Sequence, residues 1–264
     1  MGSATREALS SARTALATVA AKDALSAGTE LFEAARVIGG SAQLRSLLAD
    51  PSAAANDKAS VIGQVFSGIG TPARTLLSEI VASRWSSQDD LLAGIEEVGI
   101  RAVASSSAKG ADLEAELFSF GAAVSSDPGL ELAVGSKLGS ASAKSELVTK
   151  LLAKKASPQT LAIIDHLVQQ PRGRRIGELV RTAAALVADE AGLSVATVIT
   201  AAPISAAQLE RLRAGLAKSY GRDLKLNQVI DPSIIGGIRV SVGDDVIDGS
   251  VATRINDLRL QLAG

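Results

Sequence analysis

The stretch Asp231-Pro232-Ser233-Ile234-Ile235-Gly236-Gly237-Ile238-Arg239-Val240-Ser241-Val242-Gly243-Asp244-Asp245-Val246-Ile247-Asp248-Gly249-Ser250 decides how the end of the chain folds. Ile238, Val240 and Val242 alternate with Arg239 and Ser241, the period-two pattern of a strand with one buried face. Gly243-Asp244 suits a two-residue hairpin reversal, with glycine supplying the positive φ. Asp248 and Ser250 each offer a side-chain oxygen to cap a helix running to about Leu262. On that helix Val251, Ile255, Leu258 and Leu262 form one stripe, expected to pack on the sheet containing Ile238, Val240 and Val242. Gly236-Gly237 marks a bulge or a close backbone approach.

Working outward, the periodicity changes at Gly192. Val195, Thr197 and Ile199 predict a strand over 193–200, ended before Pro203. Ser205 and Gln208 form a capping box that opens a helix with Leu209, Leu212 and Leu216 on one face. Tyr220-Gly221 stops it, and 224–230 is another strand. The order from there on is β-α-β-β-β-α, a small α+β domain over 192–264.

Everything before Gly192 has helical spacing, and it repeats. Leu31-Phe32 recurs as Leu117-Phe118, Leu44 as Leu130, Lys58 as Lys144 and Pro72 as Pro158, each pair 86 positions apart. Val61-Ile62 matches Leu147-Val148, Val65-Phe66 matches Leu151-Leu152, and Val81 matches Leu167. An offset held this long reads as a duplicated helical unit. The expected division is 1–110 for the first unit, 111–191 for the second and 192–264 for the α+β domain. The fold class is therefore mainly α, a helical bundle of two related units, with a small α+β domain at the C-terminus. Leu91, Leu92, Ile95 and Val98 mark the last helix of one copy; Ile176, Leu179, Val180 and Val187 mark that of the other.

Composition narrows the chemistry. Apolar residues make up 47% of the 264 and aromatics only 2%, so the core is built from small and aliphatic side chains. With a net charge of −1 the chain has no overall attraction to nucleic acid or anionic membrane. The absence of cysteine excludes disulfides and thiolate metal sites. No apolar run approaches the roughly 20 residues of a membrane-spanning helix. The first 27 residues lack the apolar core of a signal peptide, so the chain reads as soluble and intracellular, with any membrane association made through a partner.

No catalytic constellation emerges. Ile247-Asp248-Gly249-Ser250 resembles an aspartic protease loop, but that chemistry needs two such loops and the chain has one. Asp244-Asp245 has no further oxygen ligand nearby in sequence and reads as an exposed turn. His166 is the only histidine and sits beside an apolar helix face. Gly39-Gly40 and Gly236-Gly237 are too sparse for a dinucleotide site, and no phosphate-binding loop is present, so neither nucleotide, cofactor nor metal binding is expected. Arg172, Arg174 and Arg175, with Lys154-Lys155 upstream, form the one basic cluster. A single-strand nucleic-acid binder needs aromatic platforms that one Trp, one Tyr and four Phe do not supply, which favours a solvated loop or an acidic protein partner.

The string IIGGIRVSVGDDVIDGSVATRINDLRLQL, residues 234–262, strongly resembles the C-terminal signature of the delta subunit of bacterial F-type ATP synthases. That subunit is the counterpart of the mitochondrial oligomycin-sensitivity-conferring protein. The resemblance extends back to about residue 113 and more loosely to the N-terminus, and it departs from the usual family length in having two helical units. It implies a non-catalytic stator: the helical domain grips the α subunits of the catalytic head, and the C-terminal domain holds the b subunit of the peripheral stalk. It implies a place on the cytoplasmic face of the bacterial cell membrane, peripheral through the complex, serving ATP synthesis and proton transport. Leu260, off the apolar stripe of the last helix, is a candidate partner contact, as are Arg172, Arg174 and Arg175. A helical nucleic-acid-binding or regulatory module is the alternative reading.

Overall fold

A computed structural model describes residues 2–108, 111–136, 139–153, 155–221, 223–232, 234–242, 245–251 and 253. It divides into two compact units, residues 1–187 and 188–264. In the first lie α1 (Ser3–Leu16), α2 (Ala21–Gly40), α3 (Ala42–Ala49), α4 (Ala55–Val65), α5 (Thr71–Ala82) and α6 (Gln88–Ser105). They are followed by α7 (Leu113–Ser126), α8 (Pro128–Gly135), α9 (Ala141–Leu152), α10 (Pro158–Gln169) and α11 (Ile176–Glu190).

The helical unit holds two apolar cores. One is built from α1 to α6 and includes Leu9, Leu31, Leu48, Ile62, Leu77 and Ile95. The other takes Leu117, Val134, Val148, Ile164 and Leu179 from α7 to α11. Helix α6 serves both: Leu91, Leu92, Ile95, Val98 and Ala102 face the first core, and Ile100, Val103 and Ala104 face the second. From Gly94 to Ala104 every residue of α6 is buried, the pattern of a helix surrounded by others.

The contacts repeat as well as the residues. Leu31 and Leu117 are both buried, as are Leu48 and Val134, and Ile62 and Val148. The Lys58 ammonium donates to the Val81 carbonyl at 3.1 Å, and Lys144 donates to Val168 at 3.5 Å. In each case a buried cation satisfies a carbonyl in the last turn of the neighbouring helix. At the opposite end of the same helices, Glu30 accepts from Gly70 N at 3.0 Å and Glu116 from Ser157 N at 2.9 Å. Carboxylates thus meet the open N–H groups of α5 and α10. Lys58 and Lys144, like Glu30 and Glu116, are 86 apart, whereas their partners are 87 apart. The offset slips by one residue before α10, so Ala73, Leu76, Leu77 and Ile80 correspond in burial to Thr160, Ile163, Ile164 and Leu167.

Helices α2 and α6 are the most extensively packed helix pair among the described residues. They cross where two glycines remove the side chains: a Cβ on Gly28 would lie 2.7 Å from the Gly99 carbonyl, and one on Gly99 would lie 2.6 Å from the Phe32 ring. Such proximity demands glycine, overriding its poor helix propensity.

In the second unit, β1 (Ser194–Thr200), α12 (Ala206–Tyr220), β2 (Leu224–Ile230), β3 (Ile238–Val242) and β4 (Asp245–Asp248) follow the expected order. The sheet order is β2-β1-β3-β4, with β1 parallel to β2 and antiparallel to β3, and β3 antiparallel to β4. The parallel pair requires a crossover, which α12 supplies. Ser205 and Gln208 form the capping box, and Gly221 ends the helix at φ 66°. Leu216, Ala196, Val198, Leu224, Val240 and Val242 make the small core. The glycine pair is a close approach, because a Cβ on Gly237 would lie 2.5 Å from the Gly249 carbonyl.

The reversal at Gly243-Asp244 and the stripe residues Ile255, Leu258 and Leu262 lie outside the described residues. Val251 begins the helix and is 39% exposed; its backbone N–H donates to the Gly236 carbonyl at 3.0 Å, and a Cβ on Gly236 would lie 3.4 Å from its side chain.

The glycine crossing yields a test in which helix propensity and packing have opposite signs. Gly28→Ala is expected to destabilise the chain by about 1–3 kcal/mol through overpacking. Gly63→Ala, at an exposed position of α4 with nothing within 4 Å of its Cβ, is expected to stabilise it by about 0.5–1 kcal/mol. Urea unfolding of both variants checks this, and a stabilising Gly28→Ala would show that the two helices are not locked at this crossing.

Candidate functional site

Among the described residues no group of three His, Cys, Asp or Glu side chains is placed to hold a metal ion. The notable chemistry is instead a set of charges on α6. Glu96 and Glu97 sit in the middle of a helix that is buried on all sides, so each carboxylate requires partners. Glu97 accepts from Arg13 of α1 at 2.6 Å and from Arg101 one turn along at 3.0 Å. Glu96 faces the other way, toward the loop between α10 and α11. Arg174 Nη2 donates to its two oxygens at 2.9 and 3.0 Å, and Arg172 Nη2 lies 2.9 Å from Oε2.

This places three of the sequence-derived candidates. Arg172 and Arg174 turn inward onto Glu96, while Arg175 stays on the surface. With two guanidinium groups committed to a buried carboxylate, the cluster favours no nucleic-acid reading. Leu260 lies outside the described residues, as does Lys154. The loop itself is tightly wound, with Arg172 at φ 50° and Gly173 at φ 79°. Gln170 secures its start by donating to the Ala35 carbonyl of α2 at 3.2 Å.

His166 completes the cluster. It is 1% exposed and stacks on Phe32 of α2 with ring centroids 4.2 Å apart and planes 10° from parallel. Its Nε2 lies 3.4 Å from Glu96 Oε2, and neither ring nitrogen has an aligned hydrogen-bond partner among the described residues. Burial pushes the imidazole pKa below 6.5; Glu96 opposes the shift, while Arg36 and Arg172 add to it. Burial alone would raise the Glu96 pKa, but His166, Arg172 and Arg174 together bring it below 4.5.

In the second unit the Ile247-Asp248-Gly249-Ser250 motif is structural. Asp248 accepts from Ser250 N at 2.9 Å and from Arg239 at 2.7 Å, and Ser250 Oγ accepts from Thr253 N at 3.3 Å. Its bonds from Ser250 and then from Arg239 hold the Asp248 carboxyl well below the ordinary range. A carboxylate so held is no general acid.

Sequence reasoning missed Glu96. The available signal was a pair of acids at 96–97 inside a run from Leu91 to Ala104 whose only other charged residue is Arg101. Glu96→Gln strands two guanidinium groups and is expected to lower stability by about 2–4 kcal/mol at neutral pH. A carboxylate with a depressed folded pKa stabilises fully above its unfolded value, and the contribution is lost as pH falls through the folded one. The deficit of the variant should therefore shrink on acidification below 4.5. Urea unfolding at several pH values measures it, and a deficit independent of pH would contradict the ion-pair assignment.

The comparisons with known proteins agree in direction. The ATP synthase delta (OSCP) subunit family matches residues 100–262, beginning inside α6 and running through the second unit. A protein from Leifsonia xyli subsp. xyli named ATP synthase subunit delta is 53% identical over 264 residues, covering 100% of both chains. One of the same name from Streptomyces griseus subsp. griseus is 40% identical over 271 residues, and one from Arthrobacter sp. is 36% identical over 276, each again covering 100% of both chains. Helices α1 to α5, ahead of the family match, thus have counterparts in these relatives. The chain belongs to the ATP synthase delta (OSCP) subunit family, a non-catalytic stator subunit of the F-type ATP synthase.

Proposed function

We propose that the chain joins the α subunits of the catalytic head to the b subunit of the peripheral stalk, at the cytoplasmic face of the bacterial cell membrane. The observation that carries this reading is the end-to-end similarity to proteins named ATP synthase subunit delta. A stator link must resist rotor torque without yielding, and a helical unit whose two cores share one buried helix suits that task. Attachment to the membrane is made through the complex in this reading; among the described residues no helix is long and apolar enough to cross a membrane.

In this reading the helical region consists of two related units, 1–110 and 111–191, with α6 common to both cores. It docks partner helices in the helix-in-groove mode. The 192–264 domain holds the stalk, with Leu260 as its contact. Arg175, the exposed member of the basic cluster, is the arginine best placed to meet an acidic partner, and Arg172 and Arg174 support it from the loop.

A tagged chain is expected to recover the α and b subunits from detergent-solubilised membranes, and no nucleic acid. Leu260→Asp should reduce b-subunit recovery at least about tenfold, equivalent to about 1.4 kcal/mol, with thermal stability unchanged. Recovery of neither subunit by the unaltered chain would overturn the reading. Loss of stability in the variant would assign Leu260 to the core of its own domain.

A further inference from the structure

We propose that the loop 170–175 is an acid-released latch: a proton on His166 displaces Arg172 from Glu96 and frees the loop from α2 and α6. Its geometry is a competition for one oxygen. Glu96 Oε2 lies 2.9 Å from Arg172 Nη2, 3.0 Å from Arg174 Nη2 and 3.4 Å from His166 Nε2. Arg174 also holds Oε1, so the carboxylate is already shared between two cations.

The charges around the ring make a further cation unwelcome. Arg36 of α2 and Arg172 of the loop both oppose a charge on His166, and Glu96 of α6 is the acid beside it. Asp89, at the start of α6, acts on Arg172. Asp165, on the same helix as His166, accepts from Gln169 at 2.6 Å. A protonated imidazole would be a third cation on one carboxylate, in a place where the ring is only 1% exposed. Something must leave, and Arg172 is the group with a short exit. Its backbone sits at φ 50°, a conformation that a non-glycine residue is relieved to leave. Arg174, held to Glu96 through Nη2 and itself 33% exposed, follows Arg172 out with the loop, and His166 takes the vacated position.

The loop carries Arg175 and leads into Ile176, and it lines a surface cleft with Pro128 and Leu132 of α8. Its release would alter the basic surface presented there without disturbing either core. The inference concerns this loop alone and stands whether or not the stator assignment above is correct.

The chain has no cysteine, so Arg175→Cys provides a single site for a nitroxide label. As pH falls from about 7.5 to about 5, the mobile fraction of the spin label should rise. The ratio of free to docked loop should change by up to about tenfold per pH unit, the limit for one linked proton. Helical circular dichroism and Trp85 fluorescence should stay constant over that range. In a His166→Phe background the pH response should vanish, and with Arg172→Ala the label should be mobile throughout. If His166→Phe does not fold, His166→Leu is read in the same way. The proposal is overturned by label mobility that does not change with pH, by a response that survives removal of His166, by an immobile label in Arg172→Ala, or by loss of helix in step with the label.

Discussion

The structure depends on one helix being inside two cores at once. Helix α6 is buried on every side between Gly94 and Ala104, and such a helix has no face to give to water. Its apolar residues divide between neighbours: Ile95 and Val98 belong to one core, Ile100 and Val103 to the other. Two glycines thin it where α2 and the Trp85 ring press closest, Gly99 and Gly94. Its charges point to both sides, Glu97 to α1 through Arg13 and Glu96 to the α10–α11 loop through Arg172 and Arg174. Buried ion pairs contribute little net stability against an apolar alternative, but losing one partner is expensive. Glu96 and Glu97 therefore act chiefly as constraints on register: the helices around α6 fit only where their arginines reach.

The same constraint suits the protein to a stator. A connector under torque has to pass a force from one interface to another, and the weak point of a two-unit chain is the joint between them. In residues 1–187 the joint is not a linker but a shared helix, so bending it would mean opening two packed cores together. The buried Lys58 and Lys144 and the carboxylates of Glu30 and Glu116 close the ends of α5 and α10 in the same manner. Asp248, which looks catalytic in isolation, is committed to Arg239 and Ser250 in holding the strand end to the following turn.

Local features were the easiest to read. The alternation at Ile238, Val240 and Val242, the capping box at Ser205 and Gln208, and the stop at Gly221 each involve residues within a few positions of one another. The repeat was legible because Lys58 and Lys144 are rare residue types in an apolar setting. The double use of α6 was not, since a helix buried on all sides has no stripe, and its apolar residues at 91–98 served equally well as the last helix of one copy. The buried positions Leu9, Ala12 and Leu16 of α1 recur 86 residues on as Ile95, Val98 and Ala102 of α6, yet all six lie in the first core. The direction of Arg172 and Arg174 was hidden for another reason. Their partner is more than seventy residues away, and a basic cluster looks the same in sequence whether it faces water or a buried acid.

The central claim is that sharing α6 makes residues 1–187 a single cooperative body. Hydrogen exchange resolved by peptide across a urea titration tests it directly, comparing α1–α5 with α7–α10 in the full chain. A common midpoint, with α6 the last region to exchange, is the predicted result. Two midpoints separated by more than about 1 M urea, with α6 following only one of them, would contradict it.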